Sequence, residues 1–95
     1  GHNHPAIIDA AIDAAISNTV MQGHLQQNMD SLHLMRLLSK AAHLAHCFLT
    51  SSGAMANENA LKIAFQKRFP AFRVLAFDHC FMGRTLSMAQ ITDKP

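Results

Sequence analysis

The chain has 95 residues, enough for one small domain at most, and 49% of them are hydrophobic. Its formal net charge of +2 comes from scattered Lys and Arg, so it offers no basic track for nucleic acid but is compatible with a phosphate ligand. No apolar run is long enough to span a membrane.

Cys47 and Cys80 stand far apart, as is typical of free thiols in a reducing compartment, so we expect a cytoplasmic protein. Residue 1 is Gly and the periodic patterns run almost to both ends, so we also expect part of a longer chain.

The first half of the chain is predicted to be helical. A helix over residues 5–17 has Pro in its first turn, Asn3 or His4 as its cap, and isoleucines every four residues on one ridge. Residues 18–27 are polar and lack any period, which indicates a loop. A second helix is predicted over residues 30–46, where leucines and alanines form an apolar stripe.

The second half alternates between strand and helix patterns. Residues 47–50 form a short apolar run of the size of a buried strand, and residues 73–77 form another. Between them, residues 54–68 show helical periodicity and end shortly before a proline. The order helix, helix, strand, helix, strand predicts an α/β fold, and the two strands alone would pair as neighbours through a right-handed crossover.

The connection between the first strand and the third helix has the parts of a phosphate site. The first N–H groups of a helix lack internal partners, and the helix dipole makes that end electropositive. Gly53 allows a ligand to approach the backbone closely, and the hydroxyls of Ser51 and Ser52 can either cap the helix or bind an anion. Ser-Ser-Gly before a helix is more often an ordinary cap, so this segment alone favours that interpretation over a phosphate site.

A second loop, over residues 79–85, follows the other predicted strand. Ligands of α/β sheets bind beyond the carboxyl ends of strands, so the two loops are expected to meet at one edge. Phe81 would then be an exposed aromatic residue suited to stacking on a flat ligand, although these residues alone favour a Phe that fills the core.

Four segments together resemble the class III aminotransferases, which act on acetylornithine, ornithine, 4-aminobutyrate and lysine side-chain amines. Residues 1–5 (Gly-His-Asn-His-Pro) are similar to the family's G-H-x-H-P. Residues 51–58 (Ser-Ser-Gly-Ala-Met-Ala-Asn-Glu) resemble N-S-G-A-E-A-N-E, and residues 81–85 (Phe-Met-Gly-Arg-Thr) resemble F-H-G-R-T. Residues 92–95 (Thr-Asp-Lys-Pro) resemble T-G-K-P. The resemblance covers almost the whole chain in the expected order.

The resemblance implies part of the large domain of a fold-type I transferase that depends on pyridoxal 5′-phosphate, without a complete domain in residues 1–95. It implies that the backbone N–H groups of Gly53 and Ala54 bind the cofactor phosphate with Ser52 beside them. Phe81 would stack on the pyridine ring, and Met82 would lie next to that ring. It also implies a homodimer, 2-oxoglutarate as amino acceptor, and later strands between the two predicted ones.

No catalytic residue is expected within residues 1–95. The family's cofactor-binding lysine lies further along than these motifs, and none of the four lysines matches its position: Lys40, Lys62, Lys67 and Lys94. Residues 1–95 alone are therefore not expected to be active.

Within residues 51–58 and 81–85 the chain departs from the family pattern at three positions. Met55 replaces a Glu, which removes a carboxylate from the first helical turn at a cost of roughly 0.5–1 kcal/mol. Met82 replaces a His and so removes a polar group beside the ring, and Ser51 replaces an Asn. These changes leave two alternatives open: a non-catalytic truncated or degenerate fragment, and a mutase or decarboxylase of the same fold. The amino donor is also open, because residues 58–62 (Glu-Asn-Ala-Leu-Lys) resemble lysine 6-aminotransferases while the acetylornithine and 4-aminobutyrate enzymes look nearly as close.

The chain contains seven histidines, which raises the question of a metal site. His43, His46 and Cys47 lie within about one helical turn, yet structural zinc takes four ligands at defined spacing and no second cluster completes the set. We therefore expect no metal site, and His2 and His4 are expected to help cap the first helix.

Overall fold

The computed structural model describes residues 2–19 and 28–93, which belong to two compact units, Gly1–Phe48 and Leu49–Pro95. In these residues we number four helices: α1 (Pro5–Ile16), α2 (Met29–Ala42), α3 (Gly53–Arg68) and α4 (Leu86–Gln90). The first two helices were predicted within one residue at their starts, and so was α3. The short helix α4 was not predicted. The predicted loop over residues 18–27 lies mostly outside the described residues, at positions 20–27.

Helix α1 begins as the sequence predicts. Pro5 occupies the first helical position, and Nδ1 of His4 accepts a hydrogen bond from the N–H of Ala6 at 3.3 Å. A proline costs the helix nothing here because its missing N–H would have had no partner. The helix ends at Ile16, one residue before the predicted end.

Helix α2 ends four residues earlier than predicted because the backbone reverses at His43. This residue has φ 54° in the left-handed region, and the N–H of Leu44 donates to the carbonyl of Ser39 at 3.1 Å. A left-handed residue followed by such a six-to-one hydrogen bond is the Schellman arrangement that terminates helices. The leucine stripe continued past this point, so periodicity alone extended the helix too far. At the other end Oδ1 of Asn28 caps the helix by accepting from the N–H of Ser31 at 2.7 Å.

The two predicted strands need correction. Residues 47–50 and 73–77 are irregular, and no strand occurs in residues 2–19 or 28–93. A strand is stable only when its N–H and C=O groups pair with a neighbour, and the described part of the chain supplies neither segment with one. The second segment was also expected to be buried, whereas Leu75 is 97% exposed.

In the second unit α3 packs against α4, and Met88 of α4 is the one fully buried large side chain of the described residues. The isoleucine ridge predicted for α1 and the apolar stripe predicted for α2 are mainly exposed among the described residues, with Ile16 at 79%. Among the described residues no helix has the length and apolar character needed to cross a bilayer. The fold therefore places one small packed centre next to the start of α3, where both predicted site segments lie.

Candidate functional site

The start of α3 presents free backbone donors. Ser52 is its extended N-cap residue, with φ −159° and ψ 161°, and its Oγ accepts from the N–H of Met55 at 3.2 Å. The N–H groups of Gly53 and Ala54 have no acceptor among the described residues. The first turn contains no acidic residue, so the positive end of the helix dipole is not neutralised locally. These donors are suited to an anion.

The loop over residues 79–85, which we call the site loop, comes closest to α3 at Gly83. This residue is buried and has φ 140°. A Cβ atom built on it would lie 2.7 Å from Cβ of Ala54 and 3.1 Å from Cβ of Met88. Glycine is therefore required both by the backbone conformation and by the lack of space.

Side-chain hydrogen bonds fasten the site loop to α3. The amide Nδ2 of Asn57 donates to the carbonyl of Met82 at 2.8 Å, and Oγ1 of Thr85 donates to Oε1 of Glu58 at 2.5 Å. Both bonds are partly buried, where an unpaired partner would be costly. Two consecutive residues of α3 thus hold the loop at two points.

Between the helix start and the site loop lies an open groove of about 390 Å³. Its lining combines residues from both segments: Gly53, Ala54, Asn57, Phe81, Met82, Gly83 and Arg84. Four of the five predicted site residues are in this set, and the fifth, Ser52, directly precedes it. Both predicted segments therefore line one groove, but the sheet edge at which they were expected to meet is absent from the described residues.

Phe81 is an exposed aromatic residue among those that line this groove. The side chain is 55% exposed, so it does not fill the core of the described unit. The guanidinium carbon of Arg84 lies 5.8 Å from the ring centroid, within the range of a cation–π contact. An exposed aromatic face and a guanidinium thus lie beside the helix start.

Sequence reasoning missed three lining residues of the groove: Asn57, Gly83 and Arg84. The motif that contains Gly83 and Arg84 was noticed, and a glycine between bulky residues was a usable signal of close backbone approach. Asn57 belongs to the motif over residues 51–58, but that motif did not indicate its hydrogen-bond partner, because Met82 is 25 residues away. For the histidines, no group of three or more potential metal ligands occurs in the described parts of the chain.

Comparison with known proteins gives the family. The sequence profile described as aminotransferase class-III matches residues 1–95, and the chain belongs to this family. A succinylornithine transaminase of Citrobacter koseri is 35% identical over 100 residues, covering 100% of this chain and 24% of that protein. Acetylornithine aminotransferase 2 of Bordetella pertussis is 35% identical over 72 residues, covering 72% of this chain and 18% of the relative. A Pseudomonas aeruginosa protein named succinylornithine transaminase/acetylornithine aminotransferase is 32% identical over 107 residues, covering 100% of this chain and 24% of that protein.

The chain thus spans about a fifth to a quarter of the length of these curated relatives. No solved structure matches it significantly. Membership of the family implies the fold-type I architecture of transferases that use pyridoxal phosphate, while the strand topology predicted from the sequence is not confirmed.

Proposed function

We propose that residues 1–95 supply the pyridoxal phosphate cradle of an aminotransferase and act within a longer chain, which we call the parent enzyme. One observation carries the proposal: a single groove combines two free N–H groups at a helix start with an exposed aromatic ring. The cofactor has a phosphate at one end and a flat pyridine ring at the other. The residues present fit both ends.

The phosphate would be held at the start of α3. The N–H groups of Gly53 and Ala54 are free to donate, and the Ser52 hydroxyl retains its hydrogen for donation while its oxygen caps the helix. Charge-assisted bonds of this kind are roughly twice as strong as neutral ones. Because Met55 leaves the first turn without a carboxylate, no negative charge of that turn opposes the phosphate.

The ring would lie against Phe81. When bound, the cofactor supplies an electron sink for the carbanion formed from the amino acid. Phe81 would fix the plane of the ring by stacking, and Met82 would lie beside it without offering a polar group. We keep the prediction that the lysine binding the cofactor lies outside residues 1–95, so that these residues contribute binding and orientation rather than proton transfer.

The relatives' names support an ω-amine donor of the ornithine type. We propose acetylornithine, ornithine, 4-aminobutyrate or lysine as donor and 2-oxoglutarate as acceptor. A homodimer and a cytoplasmic location remain predictions. We also keep the prediction that residues 1–95 are part of the large domain and form no complete domain themselves.

The first test is the visible spectrum of the parent enzyme before and after borohydride. We expect a yellow absorption band that borohydride removes, leaving the cofactor attached to one lysine peptide. A colourless protein that takes up no added cofactor would refute the proposal and leave Ser52 as an ordinary helix cap. Product analysis with an ω-amine donor and 2-oxoglutarate then separates transamination from the mutase or decarboxylase alternative.

A matched pair of variants tests the phosphate cradle itself. Gly53→Pro removes one N–H donor at the first helical position, where proline is favoured, and Ser52 before it is already extended as proline requires. Gly53→Ala keeps the donor, and its added Cβ meets no atom within 4 Å. Since a hydrogen bond to a charged group contributes about 1.5–3 kcal/mol, the dissociation constant of the cofactor should rise at least about tenfold in Gly53→Pro. It should rise less in Gly53→Ala, which keeps the donor. Equal affinities in both variants would contradict the cradle.

A further inference from the structure

Residues 91–93, which we call the clasp, are bound to the site loop by a series of hydrogen bonds. The N–H of Asp93 donates to the carbonyl of Cys80 at 2.9 Å, and its carboxylate accepts from the N–H of His79 at 2.8 Å. The thiol of Cys80 donates to the carbonyl of Ile91 at 3.1 Å. The clasp overlaps the segment over residues 92–95 that resembles the family's T-G-K-P, but the cradle described above gives it no role.

The central residue of the clasp is Thr92. Its Oγ1 accepts from the N–H of Met82 at 2.9 Å and lies 2.8 Å from the carbonyl of Met88 and 3.3 Å from that of Gly83. A hydroxyl has one hydrogen, so it donates to the nearer carbonyl, that of Met88. One hydroxyl therefore ties the site loop to α4.

Both backbone groups of Met82 are then held by side chains from different segments. Thr92 binds its N–H, and Asn57 binds its carbonyl. The N–H belongs to the planar peptide group that joins Phe81 to Met82, so holding it restricts the backbone dihedral that orients Phe81. Because Phe81 is more than half exposed, burial alone does not fix the place of its side chain.

We propose that Thr92 is a positioning residue for the cofactor: through the Met82 N–H it sets the orientation of Phe81 at the groove. This inference rests on the proposed function, since it assigns Phe81 to the cofactor ring. Thr92 itself does not line the groove, so its effect on the cofactor must pass through the site loop.

The test compares Thr92→Val, which keeps the shape and removes the hydroxyl, with Thr92→Ser, which keeps the hydroxyl. Amide hydrogen exchange at Met82 is measured in the cofactor-free parent enzyme. The dissociation constant of pyridoxal phosphate and the visible circular dichroism of the bound cofactor are measured separately. Thr92→Ala is measured in the same way if Thr92→Val does not fold.

From the usual net contribution of one hydrogen bond, Met82 should exchange about three to ten times faster in Thr92→Val, with a dissociation constant raised by a similar factor. The circular dichroism of the bound cofactor should also change, and Thr92→Ser should restore all three values within about twofold. Unchanged exchange at Met82 would overturn the clasp. Faster exchange with unchanged affinity and circular dichroism would reduce Thr92 to a structural role and overturn the proposal. A wild-type enzyme that binds no cofactor overturns the proposed function and, with it, this proposal. That outcome differs from a failure of the clasp alone, because the effect of Thr92→Val on hydrogen exchange at Met82 does not need the cofactor.

Discussion

The Gly83→Ala substitution tests how the site loop meets α3. Gly83 has φ 140°, a region that residues with a side chain rarely adopt. A Cβ at this position would lie 2.7 Å from Cβ of Ala54 and 3.1 Å from its Cα. Neither atom belongs to a flexible side chain, so the clash can be relieved only if the loop or the helix moves.

The expected cost has two parts. A residue held in a sparsely populated backbone region costs about 1–3 kcal/mol. Forcing an extra methyl group into a packed contact costs typically about 1–3 kcal/mol. We therefore expect Gly83→Ala to lower the free energy of unfolding by about 2–6 kcal/mol. The cost is near the lower value if one movement of the loop relieves both the backbone strain and the clash.

The assay is urea unfolding of the parent enzyme. The midpoint should fall, while the slope of the unfolding free energy against urea concentration stays the same. The control is Gly53→Ala, since the same methyl group there meets open space, and its stability should stay within about 0.5 kcal/mol of wild type. If Gly83→Ala is as stable as this control, the close contact between the site loop and α3 does not exist.

Two further substitutions address the ring and the helix start. Phe81→Leu should raise the dissociation constant of pyridoxal phosphate about three- to tenfold in a fluorescence titration, because an aromatic contact contributes about 0.5–1.5 kcal/mol beyond its buried area. Phe81→Tyr is the control that keeps the ring, and unchanged affinity in Phe81→Leu would contradict stacking. Met55→Glu should stabilise the enzyme by about 0.3–1 kcal/mol, since a carboxylate at the third helical position favours the dipole and can reach the N–H of Ser52. A urea midpoint at or below that of wild type would contradict this, and Met55→Gln shows how much of any gain needs the charge.

The fold was predictable where local chemistry decides the backbone. Helix α1 begins at a proline capped by His4, and α3 begins at a capping serine, so each start follows from side chains within three residues. The end of α2 was not predictable in this way, because the left-handed position at a helix end is usually occupied by Gly or Asn, whereas here it is His43. The strands failed for a different reason, since an apolar run records burial but not the neighbour that a ladder requires.

The residues of the candidate site were predictable from motifs, but the hydrogen bonds that hold the site loop against α3 were not. The motif residues Ser52, Gly53, Ala54 and Phe81 follow from short sequence patterns, and the structure brings them to one groove or to its border. The bonds that bring them there link residues far apart in sequence, such as Asn57 to Met82. Periodicity and motif spacing contain no information about such pairs, because each partner is an ordinary polar side chain or backbone group in its own segment.

The two departures from the family pattern that concern carboxylates have opposite consequences for the site. Met55 removes an acid from the helix end that would face the phosphate, which weakens the helix start but leaves its positive end open to an anion. Asp93 stands where the resembled motif has Gly, and its carboxylate binds the N–H of His79, a residue with φ 60° at the start of the site loop. A hydrogen bond to a charged acceptor offsets part of the cost of that backbone conformation. Acidic charge is thus absent from the first turn of α3 beside the groove and present in the clasp, where it stabilises the loop that carries Phe81.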